Sequence, residues 1–257
     1  VRLIRKSPGG HAVDFLGPLE ISIREMRGRE IDQRAGGLGH LLRQPRPKRD
    51  CLIMLPRIEK RLAESPPSEG SILGIGSSSM RMWAPRMEKD LEPLSVVSMG
   101  FGGSEFSDVI HYFDRLVPPF KPRALLLYEG DNDVANGKTP IRIAKDFLTV
   151  VDKTHAFDPS IRIYVISVKP STTRIGVWPI AQKTNRLLEA ICEQDNRLTF
   201  VDVAPALLGL KGEMIPEYFV EDGVHLNEKG YDQWALAIRE VLLPAERPYE
   251  SPADGED

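Results

Sequence analysis

Ser71-Ile-Leu-Gly-Ile-Gly-Ser-Ser-Ser-Met-Arg-Met-Trp83 is the stretch whose reading decides the fold. Ile72 to Ile75 form a short apolar run that reads as a buried strand, and Gly76 breaks it into three serines. Met80 to Trp83 then open a helix. A strand, a tight glycine turn and a helix start hold a hydroxyl rigidly at the end of a sheet. Backbone N–H groups at the helix start carry partial positive charge suited to a developing oxyanion. Serines at such junctions also serve as helix N-caps. The run alone does not separate the two roles, so partners downstream decide. Gly74-x-Gly76-x-x-Ser79 lacks the third glycine of a dinucleotide fingerprint, and no Gly-Lys-Ser/Thr follows to make a P-loop.

Outward from that stretch, the same rhythm repeats. A short helix over Ile58–Ala63, stopped by Ser65-Pro-Pro67, precedes it. Further strands are expected at Leu94–Met99, Ala124–Tyr128, Ile161–Ile166 and Leu198–Val201. Helices are expected at Phe106–Leu116, Pro140–His155, Pro179–Glu193 and Glu228–Leu243. Strands apolar on both faces and separated by helices predict a five-stranded parallel sheet covered on both sides. Ligands of such α/β folds sit beyond the carboxyl ends of the strands, near the topological switch point. The unusual residues fall there: Ser77 to Ser79, Gly102-Gly103 and Asn132.

Residues 1–56 differ from this pattern. They hold 11 Lys and Arg against 6 Asp and Glu, whereas 57–257 hold 23 against 31. Gly-Gly pairs and Arg43-Gln-Pro-Arg-Pro-Lys-Arg49 interrupt any long periodicity. This segment reads as a basic, loosely packed extension, or as sequence preceding a translation start near Met54. Three domain ranges follow: the extension 1–56, a catalytic domain 57–243 and an acidic tail 244–257. With 41% hydrophobic residues, 28% charged residues and a net charge of −3, the composition argues against general nucleic-acid or membrane-surface binding. No run reaches the length of a membrane span, and Asp14, Pro18 and Glu20 interrupt the best signal-peptide candidate. Cys51 and Cys192 lie far apart without metal-ligand spacing. A reduced, cytoplasmic setting fits these features; they set no oligomeric state.

A serine nucleophile needs a base, and the base an orienting group. Asp222-Gly-Val-His225 offers both, on a loop bent by Gly223. The other four histidines lie in helical stretches or in the basic extension. No Cys/His cluster suggests zinc. Asp131-Asn-Asp133 lacks the glycine and glutamate of a calcium loop. No metal and no cofactor are called for.

Together, Gly76-Ser-Ser78, Gly-Phe-Gly-Gly103-Ser, Gly130-Asp-Asn-Asp133 and Asp222-x-x-His225 resemble the four blocks of the GDSL/SGNH hydrolase family, over roughly Arg57 to Leu243. One departure stands out: Ser77 occupies the place of the usual aspartate. The resemblance implies a three-layer α/β/α, flavodoxin-like fold and a serine esterase forming an acyl-enzyme. Family register makes Ser78 the nucleophile, ahead of Ser77 and Ser79. His225 is then its base and Asp222 the orienting acid. The oxyanion hole falls to the N–H of Ser78, the N–H of Gly103 and the carboxamide of Asn132. The α/β-hydrolase alternative expects Gly-x-Ser-x-Gly, where this chain has Met80. No lid-like insertion separates the blocks, which favours short-acyl or acetyl esters. Arg174 and Trp178, on the loop after the fourth strand, are candidates to line the substrate. A thioesterase or lysophospholipase of the same fold and a catalytically idle binding module are the alternatives.

Overall fold

The computed structural model describes residues 49–250. The basic extension up to residue 48 and the end of the acidic tail, 251–257, lie outside the described residues. Five strands form one parallel sheet: β1 (Ile72–Gly76), β2 (Val96–Gly100), β3 (Ala124–Tyr128), β4 (Arg162–Ile166) and β5 (Leu198–Val201). Their spatial order is β2-β1-β3-β4-β5, the flavodoxin-like winding. Around them run α1 (Arg49–Glu64), α2 (Ser78–Leu91), α3 (Phe106–Leu116), the single turn α4 (Asp131–Ala135), α5 (Pro140–Phe157), α6 (Trp178–Cys192) and α7 (Glu228–Glu246).

Both faces of the sheet are buried, as the uninterrupted apolar strands require. Ile72, Ala124, Leu126, Tyr128, Tyr164 and Ile166 share one core with Trp83 and Met87 of α2 and Trp234 and Ile238 of α7. The alternate residues Leu73, Ile75, Leu125, Leu127, Ile163 and Val165 are equally buried and point to the other face. On that side α5 packs between α3 and α6. Three layers result.

The order reverses between β1 and β3, so the chain leaves these neighbours in opposite directions and opens a crevice beyond their carboxyl ends. Glycine lets the elements close in there. A Cβ on Gly76 would stand 2.4 Å from the Tyr128 carbonyl oxygen, and one on Gly100 would stand 2.2 Å from the backbone nitrogen of Arg81. The first turn of α2 therefore rests directly on the ends of β1 and β2.

Strands three and five and helix α3 coincide with their expected ranges; other ends shift for visible reasons. The second strand starts at Val96, two residues later than its apolar run. The helix expected from Met80 starts at Ser78, with Ser77 at its N-cap but making no side-chain capping bond. Capping does not account for the serines. The helix expected over Ile58–Ala63 begins at Arg49, so it crosses residue 56. The last helix runs past Leu243 and through Pro244, because Glu246 is completely buried. Its carboxylate accepts from Arg123 Nε at 2.9 Å, Arg162 Nε at 2.6 Å and the Tyr164 hydroxyl at 2.7 Å. Glu250 caps the Ser95 backbone N–H at 2.7 Å.

Gly100→Ala should destabilise the fold by about 1–3 kcal/mol, the scale of overpacking against backbone that cannot retreat. Gly176→Ala, with nothing within 4 Å of the added carbon, should be neutral. Equal denaturant midpoints for the two variants would contradict the close approach of α2 to β2.

Candidate active site

The turn after β1 places Ser78 at the first position of α2. The segment Phe219–Leu226 returns 147 residues later beside it, so that His225 Nε2 lies 2.7 Å from Ser78 Oγ. On the other side of the ring, Nδ1 lies 2.5 Å from Asp222 Oδ2. Asp222 Oδ1 accepts from the backbone N–H groups of Val224 at 2.8 Å and His225 at 2.9 Å. Burial alone would raise this carboxyl. The bonds from the His225 ring and the two amides outweigh it and hold the pKa at about 2. Asp222 is therefore ionised at neutral pH and accepts a hydrogen bond from the Nδ1–H of the ring. That leaves the Nε2 lone pair to accept from the Ser78 hydroxyl. The arrangement can move a proton from hydroxyl to imidazole and stabilise the resulting cation.

The Asp222–His225 loop is clasped from below by the segment after β4. Gly223 adopts φ +64°, and a Cβ there would stand 2.3 Å from Thr172 Oγ1 and 2.4 Å from Thr173 Oγ1. Those hydroxyls donate to the Gly223 carbonyl at 3.1 Å and the Asp222 carbonyl at 2.5 Å. Glycine is required here by both conformation and space. Lys169 adds a second hold. Its side chain is wholly buried, and its ammonium donates to the Val224 carbonyl and to Asp131 Oδ2, 3.3 Å away.

Asp131 precedes Asn132 in the turn after β3, and Gly130 begins that turn at φ +103°. Burial opposes ionisation of Asp131, but Lys169 and Arg174 together carry its pKa below the ordinary carboxylate range. Arg174 Nη1 donates to Asp131 Oδ1 at 2.6 Å, and Nη2 donates to Asn132 Oδ1 at 3.2 Å. Asn132 Nδ2 donates to the Ser104 carbonyl at 2.9 Å. This bond joins the turn after β3 to the Gly102-Gly103-Ser104 loop after β2. Gly103 itself takes φ +76°. A Cβ on Gly102 would come within 4.0 Å of the Ser78 Cβ, which puts this loop against the serine.

Glu129 is fully buried under the same loop. Ser104 Oγ lies 3.0 Å from the Phe101 carbonyl oxygen and 2.5 Å from Glu129 Oε1. The Ser104 hydroxyl is the donor in both contacts, the shorter of which reaches Glu129. Burial, reinforced by nearby Asp133, pushes the Glu129 carboxyl well above the usual carboxylate range, against the hydrogen bond from Ser104. Its Oε2 has no partner among the described residues, a smaller cost for a neutral oxygen than for a charge. Asp133 fixes the turn itself by accepting from the Gly130 N–H at 3.0 Å. Burial pushes it up to about 6, against the pull of Lys138.

The structure thus brings Ser78, Asp222, His225, Gly103 and Asn132 to one edge. Arg174 is there too, with its guanidinium turned to Asp131 and Asn132. Trp178, half-buried at the start of α6, lines a cavity of about 10 Å³ with Asp131, Val134, Lys169 and Ala181. A larger cavity of about 420 Å³ lies between α1, α2 and β2 and touches none of these catalytic candidates. Sequence reasoning missed Lys169, Glu129, Thr172 and Thr173. The signal available for Glu129 was a charge directly after a strand of apolar residues, and for Lys169 a charge three residues beyond the end of β4. Among the described residues, no group of three or more His, Cys, Asp or Glu could hold a metal ion, and no helix is long and apolar enough to cross a membrane.

Residues 61–233 match the model of the GDSL-like Lipase/Acylhydrolase family. Among solved structures, a GDSL-like lipase from Bacteroides thetaiotaomicron aligns with TM-score 0.63 and 20% identity, over 74% of this chain and 98% of that one. The Clostridium thermocellum family 3 carbohydrate esterase aligns with TM-score 0.58 and 14% identity, over 72% and 100%. An acetyl xylan esterase, AlAXEase, aligns with TM-score 0.55 and 16% identity, over 67% and 99%. At these identities the likenesses bear on the fold alone. No curated protein matches the sequence.

Lys169→Met should lower the unfolding free energy by about 3 kcal/mol, the low end for a broken buried pair, because Arg174 still serves Asp131. The loss is read from the denaturant midpoint. A midpoint equal to that of the parent would show that the ammonium holds nothing in place.

Proposed function

Because the chain belongs to the GDSL-like lipase/acylhydrolase family, we propose that it is a serine esterase cleaving short-acyl or acetyl esters through an acyl-enzyme on Ser78. The observation that carries this reading is the unbroken contact chain from Ser78 Oγ through both nitrogens of His225 to Asp222. In the first half-reaction Ser78 Oγ bonds to the acyl carbon while its proton passes to His225 Nε2. The carbonyl oxygen becomes an oxyanion facing the N–H of Ser78, the N–H of Gly103 and Nδ2 of Asn132. Collapse breaks the bond to the alcohol, which leaves with the proton from His225. Water then repeats the sequence and releases the acid. Asp222 steadies the imidazolium throughout and keeps its own charge. Asn132 stabilises the oxyanion without adding a full positive charge beside His225.

The preference for small acyl groups follows from exposure. The Asp222 side chain is 47% accessible and that of His225 is 23%. The cavity beside Asp131, about 10 Å³, is far below the ~300 Å³ at which ligand pockets begin. Trp178, at the start of α6, borders the same edge, which supports its place beside the bound ester, whereas the Arg174 guanidinium is taken up by Asp131 and Asn132.

Ser78→Ala should abolish hydrolysis of an aryl acetate while leaving the fold intact; unchanged turnover would exclude Ser78 as nucleophile. Asn132→Ala should raise the barrier by about 2.7–4 kcal/mol, the scale of one lost oxyanion donor. Rates with aryl acetates should exceed those with long-chain esters and acyl thioesters, and the reverse order would move the substrate class.

The pH profile is a separate test. Asp222 stays charged down to about pH 2, so its protonation should not contribute to the acid limb. The acid limb of log kcat/KM should rise with a slope of one. A slope of two would show a second essential group titrating there.

A further inference from the structure

We propose that Arg174 is a positioning residue that orients and polarises the Asn132 carboxamide. The inference rests on the reading of Asn132 as an oxyanion donor. A carboxamide has two ends of similar shape and opposite hydrogen-bonding sense, so its catalytic value depends on which end faces the reacting atoms. A guanidinium has only donors. Its Nη2 at 3.2 Å therefore claims Oδ1 of Asn132. On the opposite side the Ser104 carbonyl, which only accepts, claims one N–H of Nδ2 at 2.9 Å. Turning the amide over would set oxygen against oxygen at Ser104 and N–H against N–H at Arg174. Both neighbours thus select one orientation and leave the second Nδ2 N–H for an incoming oxyanion.

Arg174 can do this because it is itself held. Nη1 reaches Asp131 Oδ1 at 2.6 Å and the Asp131 carbonyl oxygen at 3.1 Å. Asp131 in turn is fixed by buried Lys169 and by the Tyr128 hydroxyl at 3.2 Å. The guanidinium is in place before substrate arrives, paired with the Asp131 carboxylate that it shares with Lys169. A cation on Oδ1 also draws electron density from the amide and strengthens Nδ2–H as a donor, as chained hydrogen bonds do. This role is distinct from a direct grip on the ester, which would show in KM.

A double-mutant cycle on the full chain with an aryl acetate tests it. Arg174→Met should lower kcat about tenfold or more with little change in KM, a fraction of the loss in Asn132→Ala. In the Asn132→Ala background the same substitution should cost nothing further. Arg174→Lys, which keeps a cation for Asp131 and so guards the fold, should lose less and should likewise add nothing to Asn132→Ala. Multiplying losses would overturn the proposal and leave the oxyanion reading standing. A rise in KM at constant kcat would make Arg174 a substrate contact instead. Parental activity in both Arg174 variants would also overturn it. If Asn132→Ala alone were fully active, the oxyanion reading itself would fall, and this inference with it.

Discussion

One buried ammonium joins the two halves of this site. Lys169 comes off the end of β4 with no access to water, and its hydrogen bonds run to the Val224 carbonyl on one side and to Asp131 on the other. The first partner belongs to the loop that carries His225; the second precedes Asn132. A lysine in such a place is tolerated only with a carboxylate and oxygen acceptors around it. The arrangement in turn dictates where both loops lie. Thr172, Thr173 and Arg174 follow within five residues and extend the same hold. The segment after β4 therefore acts as a clasp between the acid-base pair and the asparagine.

Around this clasp the charges are settled in pairs, each by a different means. Asp131 is ionised because two cations outweigh its burial. Asp222 is ionised because three hydrogen bonds reach it, and it remains half in water. Glu129 lies in a closed place near other carboxylates, and burial pushes its carboxyl well above the usual range. These differences matter for the proposed reaction, since an anion forms within the same few residues. In that proposal the groups facing the anion are uncharged donors, and the nearest arginine is paired with Asp131, which it shares with Lys169.

Much of this was legible in the chain. Runs such as Ala124-Leu-Leu-Leu-Tyr128 admit few readings once glycines, prolines and helical spacing bound them. Ser78, Asn132 and the pair Asp222 and His225 stood out because each polar group followed an apolar strand or a glycine turn. The ends of elements were less legible. Helix α7 continues to Glu246 through a proline only because Arg123, Arg162 and Tyr164 wait at the far end of the sheet. Nothing local announces those partners. Lys169 and Glu129 were passed over for the same reason, as a lone charge after a strand has no meaning until its neighbours are known.

The sequence by itself determined the alternation of strand and helix, the parallel sheet and the residue types available for acyl transfer. Periodicity and turn chemistry act over a few residues, and a linear reading captures them. Only the tertiary structure decided that Ser78 Oγ and His225 Nε2 stand 2.7 Å apart across 147 residues, and that Arg174 faces an amide rather than open solvent. Such distances depend on how strands order themselves and how loops pack at their ends. Those choices are made by buried contacts between segments that no local pattern links.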